Sequence, residues 1–160
     1  MSRFDEFCTS YWVGKAKNAE ERLDHEGEFS RLAANAGNIA QRMCAYFQCP
    51  AEQVQYVDLA TDTVCGTIRD SLPSVHFSPD KGRNRFVLEI KVIDRQSGEK
   101  YPIWLQFEFV PLKHGGFEFH FGSDSFQVPT EERRFFDHVA DRINHELRQG
   151  DVPAPLKMGF

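Results

Sequence analysis

No stretch of this chain approaches the ~20 consecutive apolar residues that a membrane-spanning helix needs. Its first residues are polar and acidic, not the basic segment and apolar run of an export signal. The expectation is a protein that stays off the membrane and is not exported. Cysteine is scarce, and Cys8, Cys44, Cys49 and Cys65 make neither a CxxC pair nor a zinc-finger spacing with histidine. No disulfide framework, structural zinc or cofactor is therefore indicated. Cys8 and Cys44 fall on apolar helical stripes, which reads as reduced core thiols and fits a cytoplasmic setting. No glycine-rich loop sits between a strand and a helix to cradle phosphate, and no serine or cysteine catalytic arrangement is visible. Positive charge is also short: 19 Lys and Arg face 24 Asp and Glu, for a net charge of −5. Such a field repels phosphate backbones and acidic membranes, so nucleic acid is not the expected partner.

What the chain has in plenty is phenylalanine, 15 of its 160 residues, concentrated in residues 84–128. Phe86, Leu88, Ile90 and Val92 recur at every second position, and so do Ile103, Leu105, Phe107 and Phe109. Alternation of this kind sends each set to one face of a strand. Phe117, Phe119 and Phe121 repeat the device, and Phe126 with Val128 extends it. The 96–99 and 114–116 stretches carry turn chemistry that joins neighbours as hairpins. Matching apolar faces sets Val92 against Ile103, with Lys91 opposite Trp104, Glu89 opposite Gln106 and Val87 opposite Glu108. A one-residue slip would put phenylalanines in water.

Two helices are predicted to cover that face. Phe29, Leu32, Ala33, Ala36, Ile39, Ala40, Met43, Cys44 and Phe47 follow helical periodicity for five turns, and Pro50 follows the end. Phe135, Phe136, Val139, Ala140, Ile143 and Leu147 make a second stripe, with Thr130 as its expected N-cap and Gly150 past its end. Phe4, Phe7, Cys8 and Tyr11 form an earlier stripe that is interrupted at residues 12–14. Residues 51–72 show no clean period, and a short helix followed by irregular structure is expected there. Val75 and Phe77 suggest a short strand before the 79–82 turn.

These elements predict a two-layer α+β architecture: an antiparallel meander of four to five strands with long helices on one face, in the order α-β-β-β-β-β-α. One domain is expected over residues 1–150, with 1–28 as a possible helical arm and 151–160 as an extended tail.

Three functional readings follow. Trp104, with Val87, Ile93 and Val110, is apolar on the face opposite the phenylalanines, and Lys91 can lay its methylenes on the indole. Either residues 1–28 or 51–72 cover this face, or it is a binding surface for a protein partner or a second copy. The leading expectation is a non-enzymatic binding or adaptor protein, homodimeric, that uses this face or a sheet edge. The second reading rests on Pro79-Asp80, eight residues, then Glu89-Ile90-Lys91, a spacing that resembles the signature of restriction-endonuclease-like nucleases. The resemblance implies a divalent metal held by Asp80 and Glu89, with Lys91 orienting water. That family continues into a helix and a crossover strand, whereas this chain continues into antiparallel strands. The third reading is a small apolar-ligand pocket between the helices and the phenylalanine sheet. Glu89, Glu108, Glu118 and His120 share the second sheet face as carboxylate and imidazole donors, although hydration of a polar face accounts for them and no metal site is assigned.

Overall fold

The computed structural model describes residues 2–68, 76–78, 83–113, 115–150 and 153–160, with side chains outside 15–30 and 76–78. Helix α1 covers Arg3–Phe47, and a short 3-10 turn, Ala51–Gln53, follows it. Strands β1 (Val54–Asp58), β2 (Thr63–Thr67), β3 (His76–Ser78), β4 (Arg83–Ile93), β5 (Lys100–Pro111), β6 (Phe117–Phe121) and β7 (Asp124–Val128) come next. Helix α2 (Glu132–Leu147) and strand β8 (Leu156–Met158) complete the order. The sheet runs β2-β1-β4-β5-β6-β7, with β3 pairing β4 and β8 pairing β5. All pairs are antiparallel except β5–β8.

The expected α+β layering holds, with more strands than the meander alone supplies. Alternation on β4 to β7 sends Phe86, Leu88, Phe107, Phe109, Phe119, Phe121, Phe126 and Val128 into one core. Leu32, Ala33, Ala36, Ile39, Ala40, Met43 and Cys44 of α1 meet this face, together with Phe135, Phe136 and Val139 of α2. The alanines matter because small residues on the helix let it sit close above bulky rings. Phe107 packs against Phe86, Phe121 and Phe135 at centroid separations of 5.4, 5.3 and 5.7 Å.

The 51–72 stretch departs from expectation. The short helix expected after Pro50 is there as the 3-10 turn Ala51–Gln53, but in place of irregular chain comes the β1–β2 hairpin, and β1 lies inside the sheet against Val87 to Ile90 of β4. Val54 and Tyr56 join the core. Val57 is buried as well and shares its face with the half-buried Gln55, while Asp58 ends the face of Val54 and Tyr56, so each face mixes polar and apolar residues and the two-residue alternation that marks a strand is blurred. Val75 lies outside the described residues.

The β4–β5 register is shifted by two residues from the expected one: Val92 pairs with Tyr101, Ile90 with Ile103, Glu89 with Trp104 and Val87 with Gln106. Apolar matching fixes register only modulo two. The turn makes the choice. Asp94 Oδ1 accepts from the Gln96 amide at 2.9 Å, and Gly98, at φ 75°, donates to the Asp94 carbonyl. That four-residue loop replaces the two-residue turn that the other register requires.

Helix α1 is also longer than expected, running without a break through Gly14. Its 45 residues make a rod of roughly 67 Å at 1.5 Å per residue. Helix α2 is capped differently from the prediction. Thr130 is not its N-cap; Glu131 holds that position, and its carboxylate accepts from the Gln127 amide at 3.0 Å. The tail does dock on the body. Leu156 and Met158 enter the core as β8, and Gly159, at φ 81°, lies so close to the Gln106 carbonyl and the Phe121 ring that a Cβ would collide with both.

Candidate functional site

The Trp104 face can be built up from β4, β5 and β8. Strand pairing sets Glu89, Trp104 and Lys157 side by side. The Trp104 indole Nε1 donates to Glu89 Oε2 at 2.9 Å, and Lys91 Nζ stands 3.8 Å from Glu89 Oε1. Lys157 Nζ lies 5.2 Å from the Trp104 ring centroid and 5.6 Å from that of Phe160, so the tail sets a cation between two aromatic faces. Glu89 is only 5% exposed. Its Oε1 has no hydrogen-bond partner among the described residues, and Lys91 at 3.8 Å offers Coulombic compensation without a hydrogen bond.

This arrangement changes the predicted binding surface. Trp104 stands level with Glu89 and Lys157, and Lys91 is level with Pro102. Val87 is buried and presents nothing to a partner. Ile93 is exposed, Lys91 and Val110 are half-buried, and the last two apolar positions do not belong to one patch. Phe109 pairs with Asn84, so Val110 lies at the far end of the strand pair from Ile93, about 30 Å away at 3.3 Å per residue. Of the two segments expected as a cover, residues 54–67 are part of the sheet itself and residues 2–14 are exposed; residues 69–72 and the side chains of 15–28 lie outside the described residues.

The other predicted constellations are separated or already paired. Asp80 lies outside the described residues. Glu89 and Lys91, its proposed companions, point from β4 into the cluster just described. Glu108 pairs with Arg83 at 3.1 Å, Glu118 lies 3.7 Å from His120, which stands opposite Glu108, and Glu89 is held by Trp104, so each carboxylate already has a partner. Among the described residues no group of three His, Cys, Asp or Glu is placed to hold a metal ion. The space between the helices and the phenylalanine sheet, lined by Ile39, Met43, Phe86, Phe107 and Phe135, has a volume of about 0 Å³ for a molecule the size of water. It is filled by its own side chains. An open cleft of about 750 Å³ runs along α2. Its Arg133 and Arg134 are interleaved with Glu131, Asp137 and Asp141, so it offers no single sign of charge, and His138 faces Asp124 at 3.1 Å.

No protein-family model, curated protein or solved structure matches this chain.

Most of the exposed large apolar side chains among the described residues lie at the start of α1. Phe4, Phe7, Tyr11 and Trp12 are 72, 67, 72 and 70% exposed. At 100° per residue they span, with Cys8, an arc of roughly 140°. Four aromatic side chains at that exposure present on the order of 500 Å² of surface, comparable to the largest apolar patches of ordinary monomers, which are often functional. The helix is preformed there. Ser2 Oγ accepts from the Asp5 amide at 3.2 Å, and Asp5 Oδ2 accepts from the Ser2 amide at 3.2 Å, a reciprocal capping box. Cys8, expected in the core, is exposed on the same arc. The periodicity that marks the stripe is plain in the sequence. What periodicity does not carry is the identity of the surface the stripe meets.

Proposed function

We propose that this chain is a non-enzymatic protein-interaction module that self-associates as a homodimer, with the α+β body as scaffold and the first turns of α1 as the contact surface. One observation supports the reading above the others: the aromatic arc Phe4, Phe7, Tyr11 and Trp12 is exposed on a helix whose end is already capped. A preformed helix loses less conformational entropy on docking than a segment that must fold first. Two copies of the arc, related by a two-fold axis, present identical surfaces to each other. Each would remove on the order of 500 Å² from water, roughly 1,000 Å² for the pair, which is the size of a weak, reversible interface. A cytoplasmic setting suits a chain with four free thiols.

Light scattering on the eluting peak of a size-exclusion column tests this. The wild type is expected at twice the chain mass, and Tyr11→Glu at the chain mass with its circular dichroism unchanged. A wild type of single-chain mass at every accessible concentration would overturn the proposal.

A further inference from the structure

At the other end of α1 the backbone closes in a Schellman motif. Gln48, at φ 57°, donates to the Ala45 carbonyl at 3.1 Å, and the Cys49 amide donates to the Cys44 carbonyl at 3.0 Å. In that motif the two residues joined by the second bond, one in the last turn and one past the end, bring their side chains together. Here both are cysteine. The path from one Cα to the other, through the carbonyl oxygen, the hydrogen bond and the N–Cα bond, cannot exceed about 7 Å. Bends along it bring the separation into the ~4.4 to 6.8 Å range that disulfides occupy. Cys44 and Cys49 also line one cleft of about 480 Å³, with Gln41, Ala51 and Ile68 on its walls. Cys44 is buried and Cys49 partly exposed, so one sulfur is reachable from solvent and the second stands behind it. Beneath them the Tyr56 hydroxyl is buried with no hydrogen-bond partner among the described residues, and its proton is held more tightly than usual by burial and by the nearby Cys44.

We infer that Cys44 and Cys49 are a reversible dithiol–disulfide site, oxidised by small-molecule disulfides, at the joint where α1 meets the sheet. The Cys49 thiol gives up its proton and attacks one sulfur of the oxidant, here glutathione disulfide. An S–S bond forms between Cys49 and glutathione, and a glutathione thiolate leaves and takes up that proton. Cys44, likewise deprotonated, then attacks the Cys49 sulfur. The Cys44–Cys49 bond forms, the second glutathione leaves and is protonated. Two protein thiols are oxidised and one disulfide is reduced to two thiols.

Burial pushes the Cys44 thiol up to about 12, with Cys49 adding to the effect, and burial also raises Cys49. Only the thiolate attacks, so exchange is slow at neutral pH and accelerates as pH rises. Cys8, exposed on the α1 arc, is the competing thiol.

The test uses the full chain carrying Cys8→Ser, treated with glutathione disulfide and followed by intact mass and peptide mapping. The expected product has lost two hydrogens, with residues 44 and 49 linked, at a rate that rises with pH. With Cys44→Ala added, a glutathione adduct is expected to persist on Cys49, because the resolving thiol is gone. A persistent adduct on Cys49 in the presence of Cys44 would overturn the inference, as would a link that uses Cys65 or the absence of any 44–49 link after prolonged oxidation at alkaline pH.

Discussion

Replacing Trp104 with phenylalanine keeps an aromatic face beside Lys157 and removes one polar group, the indole N–H that Glu89 Oε2 accepts at 2.9 Å. Glu89 is 5% exposed and its other oxygen has no hydrogen-bond partner among the described residues, so the loss leaves a buried carboxylate with Lys91 at 3.8 Å for compensation. Hydrogen bonds to charged groups contribute about 1.5 to 3 kcal/mol, and the carboxylate left behind adds its own desolvation cost. Trp104 itself is half-buried, so the packing lost on going to the smaller ring is under about 1 kcal/mol. The expected destabilisation is about 2 to 3 kcal/mol. With a urea m-value of roughly 2 kcal/mol/M for a chain of this size, the midpoint falls by about 1 M. The cause is separable by a double-mutant cycle with Glu89→Gln, which removes the charge and keeps an acceptor. In that background Trp104→Phe is expected to cost at least about 1 kcal/mol less. Strict additivity of the two substitutions would refute the reasoning, because it would mean that the indole and the carboxylate stabilise the fold independently.

Two further outcomes follow from the core and from the buried thiol. Phe107→Ala is expected to destabilise by about 3 to 5 kcal/mol in urea titration, since Phe107 is buried among three rings, while Gln106→Ala, on the opposite face, is expected to cost about 1 kcal/mol. The Cys44 thiol keeps its proton in the fold up to about 12, whereas the unfolded thiol ionises near 9.0. Above that lower value the unfolded state binds fewer protons, so stability falls as pH rises. Between pH 8 and 10.5 Cys44 accounts for a loss of about 2 kcal/mol, which Cys44→Ala is expected to remove from the difference between urea titrations at the two pH values.

The layering of the fold was legible because its main signal is simple. Alternation on β4 to β7 and five turns of periodicity before Phe47 each dictate an apolar face, and both faces meet in the core from Leu32 onward, with Phe47, Val92 and Phe117 partly buried at its margin and the Phe29 side chain outside the described residues. The remainder depended on quantities that patterns do not encode. Two registers of β4 on β5 satisfy the apolar match, and the Asp94–Gly98 loop selects between them. Strand β1 went unread because Val57 is buried beside Val87 on the face where a polar residue would have shown the alternation. At the candidate site, Trp104 was visible as an apolar residue on the wrong face, yet its partner Lys157 comes from a strand 53 positions later in the chain. Glu89 looked like an ordinary solvent-side residue. Its burial arises only when the two-residue shift brings it level with Trp104. The stripe at Phe4, Phe7 and Tyr11 was legible as a stripe, but periodicity did not say whether it covers the second sheet face or stands free, and in the fold these three side chains are exposed on an unbroken helix.

Sedimentation equilibrium on the wild type, Phe7→Glu and Ile93→Glu sets the α1 arc directly against the second sheet face. Phe7 and Ile93 are 67% and 41% exposed, so a charge at either position leaves the core intact. With the arc as the contact surface, the wild type and Ile93→Glu sediment as dimers and Phe7→Glu as a monomer. Dissociation of Ile93→Glu beside a dimeric Phe7→Glu would return the interface to the Trp104 face and contradict the assignment.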